Sequence, residues 1–203
     1  MTDLAHFSPS CERNKHIIWE QLKTLIPPET LRPKVLEFGS YSGQHAIHFC
    51  QQLAKVIWQP SDVRFYLDGL THNLTSSSLN NCLTPIELDV SNEQQWPSTT
   101  YDIIFTANTL HIMSFEHVQA LFKHINKVCK TGTKVVIYGP FKYQGQFTSE
   151  SNENFELWLK YRDIHSGIRD FEQINELAQS AGLTLVNDIA MPASNHLLVF
   201  QKQ

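Results

Sequence analysis

Three carboxylates each follow a short apolar run: Glu37 in "KVLEF", Asp62 in "KVIWQPSD" and Asp89 in "PIELDV". If those runs are neighbouring strands, the three groups share one edge of a sheet. Gly39 and Gly43 interrupt the turn after the first run, in "VLEFGSYSGQHAIHF", and allow a backbone approach that a side chain would obstruct. Glu37 could organise that turn or meet a cationic ligand group. Asp62 suits a ribose diol, which donates two hydrogen bonds, or alternatively caps its own turn; Asp89 could accept from an exocyclic amine. A turn feeding a helix also suits phosphate, but neither a following Gly-Lys-Ser/Thr nor a three-glycine dinucleotide pattern is present.

Further along, "NTLHIM" places Asn108 and His111 after a fourth apolar run. Asn108 could hydrogen-bond a ligand, and His111 could accept a proton because imidazole titrates near neutral pH. Their structural alternatives are a turn cap and a core histidine. "YGPFKYQGQFTSESN" follows a fifth run; Tyr138, Phe141, Tyr143 and Phe147 are candidates to line an apolar or planar substrate site, with Glu150 among the polar contacts. The same aromatics could simply hold the segment down. Near the start, Glu12, Arg13 and Asn14 form a polar cluster ahead of a helix, and Asp170 reads as a cap for a later one. His45 and His48 are three apart but supply no complete metal set, so no metal is expected.

The elements that must position these groups alternate. Ile17, Ile18, Leu22 and Leu25 share one face of a helix ended by Pro27 and Pro28. A strand over "KVLEF", a helix over "SGQHAIHFCQQL" and a strand stopped by Pro60 come next. "PIELDV" and "YDIIFTAN" read as strands, and Val118, Leu121, Phe122, Ile125 and Val128 follow a helical period closed by Lys130-Thr131-Gly132 before the strand "TKVVIYGP". A long insert without clear periodicity, the helix "DFEQINELAQSAG" and two strands close enough to be antiparallel complete the chain. Compact apolar strands alternating with helices predict an α/β sheet covered on both faces, with ligands outside the carboxyl ends of its strands. Residues 1–203 read as a single domain, with an N-terminal arm at 1–30 and an active-site insert at 139–170.

The formal charge of −4 over 203 residues argues against a nucleic-acid partner, which favours a basic field. No stretch reaches bilayer-spanning length and the first residues lack a secretory pattern. Together with four scattered cysteines, these features predict reduced thiols and a cytoplasmic location.

"VLEFGSYSG" resembles the first motif of class I S-adenosylmethionine-dependent methyltransferases. The chain as a whole resembles the DUF938 family, which includes the methyltransferase-like 26 proteins, through "SPSCERNK", "EFGSYSGQHAIHF", "WQPSD", "ELDV", "FTANTLHIM", "YGPFKYQGQFTSESN", "SGIRDFE" and "MPASNHLLVF". The resemblance implies a Rossmann-like fold with a seven-stranded mixed sheet, its last strand antiparallel, and S-adenosyl-L-methionine as cofactor. By that pattern Glu37, Gly39 and Gly43 form the loop beside the cofactor's amino acid part, Asp62 meets the ribose, Asp89 and Val90 border the adenine, and Arg13 meets a carboxylate of cofactor or substrate. Tyr41 departs from the pattern, since many class I enzymes carry glycine there. The implied function is methyl transfer to an unidentified small molecule. A non-catalytic cofactor-binding protein and a nucleic-acid methyltransferase are the alternatives, the latter without the Asn/Asp-Pro-Pro-aromatic motif.

Overall fold

In the computed structural model, which describes residues 4–203, the first helix reaches further toward the N-terminus than its apolar spacing suggests. α1 spans Pro9–Leu25, because Ser8 caps it with its hydroxyl and Pro9 occupies the first turn, where a missing N–H costs nothing. "SPSCERNK" therefore lies in the helix rather than ahead of it. The helix ends at Leu25 as Ile26, the residue before a proline, turns extended.

β1 (Lys34–Phe38), α2 (Gln44–Gln52), β2 (Ile57–Asp62) and α3 (Arg64–Ser77) follow. Pro60 does not stop β2, as proline was expected to; it lies within the strand, opposite Glu37 of β1. The backbone of Trp58 and Asp62 bonds away from β1, to Asn81, Leu83 and Leu88. By alternation the missing N–H of Pro60 falls on that same outer side, at a gap in the pairing. The Gln59 amide bridges the gap by donating to the carbonyls of Pro60 and Thr84.

"PIELDV" contributes only β3 (Ile86–Glu87), and β4 covers Tyr101–Ala107. α4 (Phe115–His124) gives way to a 3-10 turn at Ile125–Lys127, earlier than Lys130-Thr131-Gly132 would place its end. Those three residues instead belong to β5 (Cys129–Gly139), where the pairing register with β4 shifts and Gly132 takes φ +88°.

The remainder comprises β6 (Phe141–Tyr143), β7 (Gln146–Phe147), α5 (Glu150–Arg162), β8 (Arg169–Asp170), α6 (Phe171–Ser180), β9 (Leu183–Met191) and β10 (Asn195–Lys202). The segment 139–170 thus contains a hairpin and a 13-residue helix rather than an irregular insert.

Seven strands form one sheet in the order β3-β2-β1-β4-β5-β10-β9. Its first five strands are parallel, and β10 runs antiparallel to both β5 and β9. This is the mixed sheet with an antiparallel last strand that the resemblance implies. Consecutive residues alternate between two cores: Ile104, Val135 and Ile137 pack toward α4 and α6, whereas Ile103, Phe105 and Val136 pack toward α1, α2 and α3. Burial on both faces explains why the strands read as continuous apolar runs. Parallel pairing aligns the carboxyl ends of β1, β2 and β4 along one edge.

Candidate functional site

A cleft of about 1010 Å³ lies over that edge. Its strand-tip wall is made of backbone held in unusual conformations. Gly39 has φ +68°, and a Cβ there would come within 2.7 Å of Thr109 in the loop after β4. Tyr41 and Asn108 adopt left-handed backbone as well, at φ +50° and +57°, which is uncommon for residues with a side chain. Tyr41 therefore keeps the conformation a glycine would take freely. Its ring meets Tyr66 edge-on at 5.0 Å and lies 5.6 Å from His6.

Asp62 sustains this turn. One carboxylate oxygen accepts from the Tyr41 N–H at 2.7 Å and the other from the Val63 N–H at 2.8 Å. Burial raises its pKa, and these two bonds partly counter that. A carboxylate has about four lone-pair sites, so each oxygen retains acceptor capacity. Asp89 also faces the cleft; its carboxyl is held below the usual range because bonds from Ser91 outweigh the desolvation that opposes them.

Glu37 sits beneath the wall and is not among the residues lining the cleft. One of its oxygens accepts from Ser40 Oγ and Trp58 Nε1, both at 2.9 Å. Burial pushes its pKa up to about 7. Of the two roles open to Glu37, this geometry matches organisation of the turn. Gly43 is likewise outside the lining; it has φ +74°, and a Cβ there would come within 2.8 Å of Leu70.

The loop after β4 also carries His111. Its ring is buried against Phe155, centroids 5.3 Å apart, and neither ring nitrogen has a hydrogen-bond partner among the described residues. Desolvation first, then the Arg169 guanidinium, lower its pKa to about 3, so the imidazole is neutral at physiological pH. Nearby, the Asn108 Nδ2 is buried without a partner, an arrangement uncommon in folded proteins.

"HSGIR" clamps the loop that carries His111. Gly167 N–H donates to the His111 carbonyl at 2.9 Å, and Ser166 Oγ to that of Ile112 at 2.7 Å. The buried Arg169 side chain donates to the carbonyls of Leu110, Met113 and His165. Arg169 is thus a structural bridge beneath the site.

Residues 5–202 match a family described as "protein of unknown function (DUF938)". The chain belongs to the DUF938 family. Its fold is similar to that of an O-methyltransferase family protein from Burkholderia thailandensis, with a TM-score of 0.78 and 13% identity, over 95% of this chain and 58% of that one. Human N-acetylserotonin methyltransferase in complex with SAM gives a TM-score of 0.78 at 14% identity, over 95% and 52% of the respective chains. For an O-methyltransferase family 2 protein from Planctomyces limnophilus in complex with apigenin the values are 0.74, 14%, 93% and 62%. The DUF938 chain spans only 58%, 52% and 62% of the lengths of these three solved structures. At such identities the likeness establishes a class I methyltransferase fold.

Of the site residues expected in this DUF938 chain, Gly39, Tyr41, Asp62, Asp89, Val90, Asn108 and His111 line the cleft together. Arg13 does not. On α1 the buried positions are Asn14, Ile18, Trp19, Leu22 and Leu25, and Arg13 falls on the exposed side. Asn14 points inward instead, hydrogen-bonded at 2.8 Å to His45, which lines the cleft.

None of the five residues expected to bind substrate lines the cleft. Tyr138 and Phe141 are core residues on strands. Tyr143 bonds Asp188 and His196, holding the hairpin to the main sheet. Phe147 packs under Lys142, and Glu150 is exposed in the first turn of α5. Asp170 occupies the cap position of α6, yet its side chain accepts from Gly145 and pairs with Lys142.

Their place is taken by Tyr66 of α3 and by Phe155, Trp158 and Arg162 of α5. The α5 residues could have been found by their spacing of three and four, had the helix been recognised from its Ser149 cap, acidic first turn and basic last turn.

Proposed function

We propose that this DUF938 chain is an S-adenosylmethionine-dependent methyltransferase acting on a small molecule, with residues 1–203 working as one catalytic unit of the methyltransferase-like 26 kind. A single observation carries the reading: one continuous cleft brings the strand-tip residues Gly39, Tyr41, Asp62 and Asp89 together with Asn108 and His111. Its volume of about 1010 Å³ is at the upper end for small-molecule sites, roughly 300–1,000 Å³, which suits a cofactor and an acceptor side by side.

The residues fit the cofactor's chemistry. Asp62 retains acceptor sites for a ribose diol, Asp89 and Val90 border the adenine, and the 39–41 turn offers close backbone approach to the amino acid part. Asn108 holds an unused buried donor for a ligand oxygen. When bound, S-adenosylmethionine supplies an electrophilic methyl group on a sulfonium, the bonding pair remaining on sulfur after transfer. His111, neutral at physiological pH, accepts a hydrogen bond from the acceptor's hydroxyl or amine, receives the proton once methylation has made it strongly acidic, and passes it on to water. Asn108 and the clamped loop hold the acceptor in line, which is where much of the acceleration of a direct displacement arises. The four free cysteines suit a cytoplasmic setting. No helix among the described residues is long and apolar enough to cross a membrane.

Calorimetric titration of cofactor-stripped protein with S-adenosylmethionine and S-adenosylhomocysteine tests the reading. Specific binding is expected, weakened about ten-fold or more by Asp62→Ala through loss of hydrogen bonds to a charged group. Absence of binding by folded protein would overturn it. Binding without turnover in a metabolite screen, accompanied by a reproducible protein complex, would favour the non-catalytic alternative.

A further inference from the structure

Residues Phe155, Trp158 and Arg162 recur along α5 at the spacing of one helix face, and all three line the cleft. A second face anchors the helix: Asn152 donates to the Ser194 carbonyl, Glu156 accepts from the Ile168 N–H, and Leu159 is buried. The first face is therefore held over the cleft by contacts on the second. Leu157 and Tyr161, on neither face, are exposed.

The cleft-facing stripe is graded. At one end Phe155 meets the His111 ring edge-on at 5.3 Å. In the middle Trp158 stacks on Phe155 at 5.6 Å with an interplanar angle of 19°. At the other end the Arg162 guanidinium lies 4.7 Å from the Trp158 ring centroid. Seven residues of helix place the two ends roughly 10 Å apart.

Arg162 is the one lysine or arginine lining the cleft among the described residues, and it forms no salt bridge there. The other charged side chains in the lining, Asp62, Asp89, Glu116 and Asp163, are acidic. Arg162 is thus the one basic side chain of this lining that offers an anion a fixed positive charge. Ile112 and Met113 add apolar surface beside His111.

The geometry points to a planar aromatic acid as the small molecule bound here: its rings lie against Phe155 and Trp158, its carboxylate meets Arg162, and its hydroxyl or amine reaches His111. This deepens the methyltransferase reading and rests on it for the identity of the reaction. Orientation follows from charge, because reversing the ligand would take the carboxylate away from the one arginine or lysine that lines the cleft among the described residues. A two-ring skeleton with its nucleophile and carboxylate at opposite ends matches the span.

The probes are 6-hydroxy-2-naphthoate and the uncharged 6-hydroxy-2-naphthamide, titrated calorimetrically into the full chain with and without saturating S-adenosylhomocysteine. The acid is expected to bind about ten-fold tighter than the amide, a difference of about 1.4 kcal/mol. Arg162→Gln should bring the two within about twofold while leaving S-adenosylhomocysteine affinity unchanged, and Trp158→Leu should weaken both by about five-fold or more through lost stacking. Equal binding of acid and amide by the native chain, binding of neither, or an acid preference that survives Arg162→Gln would overturn the inference. A ten-fold loss of S-adenosylhomocysteine affinity in Arg162→Gln would also overturn it, by assigning the guanidinium to the cofactor's own carboxylate. If S-adenosylhomocysteine does not bind the native chain, the cofactor reading fails separately, and the acid-to-amide ratio measured without it still decides the ligand class.

Discussion

The two walls of the cleft are built in different ways. The strand-tip wall is backbone held in left-handed conformations at Gly39, Tyr41 and Asn108, braced by Asp62 and packed over buried cores. The α5 wall is a row of side chains on a helix that buries only Asn152 and Leu159 of its 13 residues. Rigid backbone favours a constant ligand, because every deviation strains the chain; surface side chains can change with little cost to folding. The contrast suits an invariant cofactor on one side and a selected acceptor on the other.

The sharpest way to break this contrast is beneath His111. Arg169→Met would leave the carbonyls of Leu110, Met113 and His165 without their donor, each costing about 1–3 kcal/mol if it stays buried. We expect a loss of about 3 kcal/mol or more in urea unfolding. A loss under about 1 kcal/mol would show that the loop stands without its clamp.

The pH response should belong to groups buried behind the strand tips and the clamped loop. His45 and His111 have folded pKa values lowered to about 3 from 6.5, His45 chiefly by burial. Between pH 4.5 and 6.5 the unfolded chain takes up protons at both sites that the folded chain does not, so both contributions to stability rise with pH. Glu37, raised from 4.5 to about 7, holds a proton in the folded state and acts in the opposite direction. Two protons against one leave a net rise of about 1.4 kcal/mol per pH unit from these groups. Urea midpoints measured across the window should increase with pH, and His45→Gln should flatten the slope. An unchanged slope in that variant would remove His45 from the account.

Gly39→Ala tests the rigidity of the strand-tip wall. The added Cβ meets Thr109 at 2.7 Å in a backbone conformation that disfavours side chains, so a loss of about 1–2 kcal/mol is expected, readable as a lower thermal midpoint. Leu157→Ser on the outer side of α5 gives the smallest effect. Its side chain is exposed, and stability should stay within about 0.5 kcal/mol. A larger loss would mean that α5 packs more tightly than its burial indicates.

Legibility of the site follows the same division. Asp62, Asp89, Asn108 and His111 could be read because each follows a strand, and a parallel sheet delivers such residues to one edge whatever the details of its helices. Pro60 misled the reading because a proline stops a strand only when its missing N–H faces an established partner, and that depends on a register set by β1 and β3. The aromatics of "YGPFKYQGQF" misled it for another reason: Tyr138 and Phe141 lie on alternating strands, where the partner surface decides what is buried.

By itself the sequence determined the alternation of the main strands and helices outside 139–170, the glycine turn and the strand-end carboxylates, since these depend on local backbone preference and the period of apolar residues. Only the tertiary structure decided that Arg13 faces outward, that Arg169 braces the His111 loop, and that Phe155, Trp158 and Arg162 face the cleft. Those outcomes depend on how a helix is rotated and docked, through contacts such as Asn152 to Ser194 and Glu156 to Ile168, which join residues whose separation along the chain carries no periodic signal.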